Sequence, residues 1–194
     1  VVPKTTLIVE RFFNNKFQTK PFVINALLDV GLKIRYRNLK SFGADRLCNV
    51  VAAAYKYSGT SLVIDWGTAS KFEVVSRKHG YLGGIIAPGL ELMAKSLSVN
   101  TAQLPLVKLQ VPKSILGNDT NGCIQSGVMN GMICMTEEAV KRISNQYGPL
   151  KNIIVTGGYA SLMLPHLTFV KKLQHEPYLV LEGARIIYER VKGK

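Results

Sequence analysis

Ser61-Leu62-Val63-Ile64-Asp65-Trp66-Gly67-Thr68-Ala69-Ser70-Lys71-Phe72-Glu73-Val74-Val75 runs apolar, stops at a carboxylate, turns through Gly-Thr and resumes as Lys71-Phe72-Glu73-Val74-Val75. The first four residues of that second run alternate, so the stretch predicts strand, tight turn and strand, with Asp65 and Thr68 at the tip of a β-hairpin. Gly67 lets the backbone bend sharply and approach a ligand closely. Turn N–H groups and the Thr68 hydroxyl can donate to phosphate oxygens while Asp65 holds a cation beside them. Asp and Gly are also ordinary turn residues, so the pattern alone describes a plain hairpin tip equally well.

Composition narrows the field. In 194 residues, 47% are hydrophobic and 19% charged, which supports a folded core and excludes disorder. Cys48, Cys123 and Cys134 are odd in number and widely spaced, which fits neither a disulfide framework nor a zinc site and suggests a reducing, cytoplasmic setting. No apolar run approaches membrane-spanning length and no secretory pattern opens the chain. The formal charge of +13 raises nucleic acid as a partner. The cations are scattered, however (Lys16, Lys20, Lys33, Arg35, Arg37, Lys40, Lys171, Lys172), which suits a solvated surface or a polyanionic small molecule better.

Outward from the hairpin, Ser41 to Tyr55 places apolar Leu47, Val50, Val51 and Ala54 at helical spacing, with Asp45 in or just before the first turn. Asp45 there either caps the helix, worth about 1 kcal/mol, or stands as a carboxylate at a cleft lip with Arg46 beside it for an anionic substrate. Further upstream, Val1 to Thr6 reads as a strand end and turn, Phe12, Phe13 and Phe17 as a buried cluster, and Lys33-Ile34-Arg35-Tyr36 as a strand. A short element from Pro21 to Leu28 stops at Gly31.

Downstream, Gly80 to Gly89 reads as a third strand ending in a glycine turn, followed by a helix with Leu90, Met93, Ala94 and Leu97 apolar. Gly117 to Gly122 is a polar loop before a long helix from about Cys123 to Asn145. Leu150 to Val155 is a buried strand whose exit, Thr156-Gly157-Gly158, is either a simple strand-to-helix turn or backbone that approaches a nucleotide. Val180 to Lys192 is a final helix with Gly183 at a packing position. His79, His166 and His175 read as surface residues, and HExxH, CxxC and P-loop motifs are absent.

Three antiparallel strands followed by a helix resemble the ribonuclease-H-like unit of the actin, sugar-kinase and Hsp70 ATPases. In order, Gly43-Ala44-Asp45-Arg46, Asp65-Trp66-Gly67-Thr68-Ala69, Tyr81-Leu82-Gly83-Gly84, Pro88-Gly89, Thr101-Ala102-Gln103-Leu104-Pro105, Gly117-Asn118-Asp119-Thr120 and Thr156-Gly157-Gly158 resemble the type III pantothenate kinases along the whole chain. The resemblance implies an α/β fold of duplicated ribonuclease-H-like domains, mixed sheets flanked by helices. Residues 1–59 would be the remainder of the first domain and residues 60–194 the second, with the C-terminal helix packing back on the first. It implies ATP-dependent phosphorylation of pantothenate in the cytoplasm, with Mg2+ and a monovalent cation (potassium or ammonium), by a homodimer whose active sites lie near the subunit interface.

On the matched positions, Asp45 is implied as the general base. Tyr36, Gly43, Ala44, Arg46 and Thr120 are implied as pantothenate contacts, Asp65 as the monovalent-cation ligand, and Gly67, Thr68, Gly157 and Gly158 as nucleotide contacts. Phosphoryl transfer needs an aligned hydroxyl, neutralising cations and turn donors rather than a covalent nucleophile, which agrees with these residue types.

Two departures stand out. Where the family usually has Thr-Thr-Phe-Asp, this chain has Ser70-Lys71-Phe72-Glu73, and Lys71 adds a charge that alters the expected cation dependence. The family's leading Asp-x-Gly-Asn-Thr loop has no match in this sequence. The expectation is an N-terminally truncated chain with an incomplete first domain, poorly stable and inactive on its own. The competing classes are a non-enzymatic regulatory relative of the same fold, and a nucleic-acid binder whose affinity would fall steeply with salt. Asp45, Arg46, Asp65, Thr68 and Thr120 together favour the kinase, because a scaffold needs no such set.

Overall fold

A sheet whose central strands bury both faces forms the frame of the computed structural model, which describes residues 3–169 and 173–193. β1 (Thr60–Trp66), β2 (Ala69–Ser76) and β3 (Gly80–Pro88) are an antiparallel meander. β4 (Asn152–Thr156) joins β1 in parallel on its other side and β5 (Leu173–His175) joins β4 in parallel. The order among the described residues is β3-β2-β1-β4-β5, a mixed ribonuclease-H-like sheet. The register sets Asp65 opposite Lys71 of β2 and opposite Thr156 of β4.

Alternation sorts the two faces. Leu62, Ile64, Trp66, Phe72, Val74, Ile153 and Val155 turn to one side. There they meet α3 (Leu90–Asn100), α4 (Thr120–Tyr147) and α5 (Ala160–Met163). Val63, Val75 and Ile154 turn to the other side, against α2 (Ala44–Lys56) and α6 (Leu179–Lys192). From Arg46 to Ala54 every residue of α2 is buried, because the helix is covered by the sheet on one side and α6 on the other. Close crossing explains its small residues: a Cβ at Gly183 of α6 would overlap the Cys48 carbonyl.

Several expectations are corrected. The strand end expected at Val1-Val2 lies outside the described residues, as do Lys171 and Lys172. Pro3–Phe17 is helical (α1) where residues 3–6 were expected to turn. Pro suits a first helical position, where its missing N–H costs nothing, and no breaker interrupts the run behind it. Phe12, Phe13 and Phe17 do cluster, with ring centroids 5.4–6.0 Å apart, but all three are exposed. Lys33 to Tyr36 is no strand. Ile34 makes a single bridge to Tyr81, and Tyr36 then turns to meet Phe42 edge to face, with ring centroids 5.0 Å apart. No regular element forms between Pro21 and Leu28.

The long helix begins at Thr120 rather than Cys123, because the Asp119 carboxylate accepts from the Gly122 N–H at 2.7 Å and caps it. β5 was not foreseen. The three histidines are exposed, as expected.

The C-terminal ends of the parallel strands β1, β4 and β5 lie at one edge of the sheet, where α/β folds place ligands. The β1–β2 turn and the exit of β4 close on that edge: the Tyr159 N–H donates to the Trp66 carbonyl at 3.1 Å, and Gly89 N–H to the Thr68 carbonyl at 3.0 Å. Asp65 is the penultimate residue of β1 and not the tip itself, which is Gly67-Thr68.

Candidate active site

At this sheet edge the first turn of α2 lies over β2. Residues 71 and 73 of β2 share a face, since they are two apart on a strand. Residues 45 and 46 of α2 answer them with opposite charges. Lys71 Nζ donates to Asp45 Oδ2 at 2.7 Å and lies 2.9 Å from Asp65 Oδ2. Arg46 grips Glu73 with two bonds, Nε to Oε1 at 2.5 Å and Nη2 to Oε2 at 3.2 Å. α2 thus presents a negative then a positive charge, and β2 a positive then a negative one.

Asp65 is buried and has a second donor, Asn49 Nδ2 at 3.3 Å from the same Oδ2. Asn49 follows Asp45 by four residues, one helical turn, and so shares its face. The other Asp65 oxygen is roofed by backbone, for a Cβ added at Gly157 would come within 2.6 Å of it. Gly157 also has φ +95°, where side chains are strained, so glycine is required twice over. Gly43, at the N-cap of α2, lies against the second oxygen of Asp45: a Cβ there would approach Oδ1 to 2.5 Å.

The charges perturb one another. Burial pushes the Asp45 carboxyl up, but the Lys71 hydrogen bond and charge, with N–H donors of Arg46 and of Asp45 itself, outweigh it and hold it below its ordinary range. Burial pushes the Lys71 ammonium down, and bonds to Asp45 and Asp65 outweigh that, so it is held above its usual value. Arg46 is likewise held above its usual value, Glu73 and Tyr36 overcoming burial. Asp45 is therefore ionised and Lys71 charged throughout the neutral range. The nearby Cys48 thiol is pushed up to about 11, by burial and then by the Asp45 charge, and is no nucleophile.

The expected site residues do not all converge. Tyr36, Gly43, Ala44, Asp45 and Arg46 do, with Tyr36 Oη 3.4 Å from Arg46 Nη1. Arg46 is not an open anion clamp, since it is 6% exposed. Its guanidinium also donates to Tyr81 Oη at 2.8 Å and sits 4.4 Å from the Phe42 ring centre. Asp65, Gly67 and Gly157 adjoin the same edge, and Thr68 stands exposed on the turn. Open space surrounds Gly158.

Thr120 lines a different cavity, with Leu97, Leu104, Gly117 and Cys123, and none of its lining residues belongs to the Asp45 group. Sequence reasoning missed Asn49, Tyr81 and the pairing roles of Lys71 and Glu73. The four-residue spacing of Asp45 to Asn49 is the signal that could have found Asn49, whereas the pairings of Lys71 and Glu73 and the place of Tyr81 depend on how α2 packs on the sheet.

The arrangement offers an ionised carboxylate at a helix start, next to a fixed ammonium and a glycine turn open to solvent. It suits abstraction of a hydroxyl proton next to a phosphate-bearing ligand. Among the described residues, no group of three or more His, Cys, Asp or Glu side chains is placed to hold a metal ion. No described helix is long and apolar enough to cross a membrane.

Comparison with known proteins identifies the relatives of this chain. The family model for type III pantothenate kinase matches residues 1–142. The type III pantothenate kinase of Moorella thermoacetica is 37% identical over 190 residues, covering 98% of this chain and 74% of the relative. That of Dehalococcoides mccartyi (strain ATCC BAA-2266 / KCTC 15142 / 195) is 36% identical over 189 residues, covering 97% and 72%. That of Geobacter sulfurreducens is 37% identical over 190 residues, covering 98% and 74%. Among solved structures, a conserved putative Baf family transcriptional activator from Campylobacter jejuni superposes with a TM-score of 0.60 at 20% identity. It covers 84% of this chain and 70% of its own, a likeness of fold alone.

Proposed function

The chain belongs to the type III pantothenate kinase family, and from that premise we propose that Asp45 is the carboxylate that receives the hydroxyl proton of pantothenate as ATP phosphorylates it to 4'-phosphopantothenate, the first step of coenzyme A synthesis. The observation that carries this reading is the Asp45–Lys71–Asp65 cluster at the ligand-bearing edge of the sheet. The pantothenate hydroxyl meets Asp45 on Oδ1, the oxygen that Lys71 leaves free. Its oxygen forms the new bond to the γ-phosphorus while the bond from phosphorus to the ADP oxygen breaks, and its proton passes to Asp45. A base of low pKa suffices, because such transitions are largely dissociative and the hydroxyl needs little activation.

Gly43, Ala44, the Tyr36 hydroxyl and the Nη1 edge of Arg46 form the pantothenate side. Gly67, Thr68, Gly157 and Gly158 form the nucleotide side, with Mg2+ arriving on the ATP phosphates. The monovalent cation fits less well. Asp65 Oδ2 already carries an ammonium and an amide, and a second unit charge about 4 Å from Lys71 would be repelled by roughly 4 kcal/mol at an effective dielectric of 20. No step is assigned to that ion.

Thr120, in its own cavity, joins the site through a homodimer with active sites near the subunit interface. The enzyme is cytoplasmic and binds neither nucleic acid nor membrane.

The test is ATP-dependent formation of 4'-phosphopantothenate by the purified chain and by Asp45→Asn, with pantothenate binding measured alongside. Turnover lost in the variant supports the reading. Binding without turnover supports the acceptor half of the site. Neither binding nor turnover in a folded chain overturns it.

A further inference from the structure

We propose that the ammonium of Lys71 is the resident monovalent cation of this site, standing between Asp45 and Asp65 in place of a free potassium or ammonium ion. The inference rests on the kinase reading for its catalytic meaning, while its structural basis is independent of that reading. The ammonium is within 2.9 Å of both carboxylates, and its side chain is only 12% exposed. Its stem rises from the strand residue directly opposite Asp65, so the β1–β2 pairing fixes where the charge falls. The remaining surroundings of Asp65 are protein as well, the Asn49 amide on one oxygen and Gly157 backbone against the other.

Lys71 is accordingly a positioning residue. It joins the first turn of α2 to β1 and β2, and with Arg46–Glu73 beside it, it sets where the Asp45 carboxylate stands. A tethered cation cannot be diluted away, so the site's charge balance would not follow the salt composition of its surroundings.

Thermal melting at matched ionic strength in potassium, ammonium or choline chloride tests this, on wild type and on Lys71→Thr, which removes the charge and opens space for an ion. The expected result is one melting midpoint for the wild type in all three salts. Lys71→Thr melts lower, and recovers with rising potassium or ammonium, saturably, but not with choline.

A saturable, potassium-specific rise in the wild type overturns the proposal, as does a folded Lys71→Thr without ion-specific recovery. Should Lys71→Thr fail to fold, the wild type alone decides. Where the kinase assay gives turnover, the wild-type rate is the same in potassium and choline chloride, and Lys71→Thr requires potassium or ammonium for recovery. A potassium-dependent wild-type rate overturns the proposal. Where no salt gives turnover, pantothenate binding tests the kinase reading, and the melting result still decides the cation.

Discussion

Asp45 and Arg46 are neighbours in sequence and opposite in charge, and the fold gives them different work. Asp45 keeps one oxygen on Lys71 and has the other beside Gly43, whereas Arg46 is spent largely on Glu73, Tyr81 and Tyr36. Glu73→Ala should therefore act as a stability mutant, leaving a buried guanidinium uncompensated at a cost of about 3–5 kcal/mol, readable by urea unfolding.

The Lys71–Asp45 pair predicts a pH signature. Asp45 is lowered, so its contribution to stability is present above the unfolded carboxylate value and is lost as pH falls through the folded one. Lys71 is raised, so its contribution is present below the unfolded lysine value and is lost as pH rises through the folded one. The pair should stabilise the fold from about pH 5 to pH 10, and Lys71→Met should flatten both flanks of the stability profile. Melting across pH checks this, and unchanged flanks would contradict it. Asp45 and Asp65 were legible in the sequence because each stands beside a turn or helix start. Their joint partner was not, because 26 positions separate Lys71 from Asp45: the register of β1 on β2 sets Lys71 opposite Asp65, and the packing of α2 over β2 brings Asp45 to it.

Among the elements, the β1–β2–β3 meander and α2 were readable from periodicity, since each carries a long apolar run with a clear stop. β5 escaped because a strand of three residues has no period to detect, and Lys33–Tyr36 misled because it alternates without a neighbour to pair with beyond Tyr81. Gly183, expected at a packing position, is where α6 meets the Cys48 carbonyl of α2. Gly183→Ala should force the helices apart and destabilise by about 1–3 kcal/mol, the usual range for overpacking. Because α2 carries Asp45, the variant should also weaken pantothenate binding, measured by calorimetry on the folded fraction. A variant of unchanged stability would show that the helices part without cost.

For the whole molecule, the ribonuclease-H-like sheet and the family were both legible, the first from the hairpin and the second from short motifs in a fixed order. The separation of Thr120 from the Asp45 group was not, because a one-dimensional match cannot say which motifs meet within one copy of the chain. A dimer in solution, by sedimentation, with Thr120→Ala weakening pantothenate binding only where the dimer forms, is the expected outcome. The most direct test of the account is calorimetric titration of pantothenate into the chain and into Asp45→Ala. The account predicts saturable binding that weakens roughly 10- to 150-fold in the variant, the worth of a hydrogen bond to a charged group at about 1.5–3 kcal/mol. No saturable binding by the folded chain, or equal affinity in the variant, would contradict it.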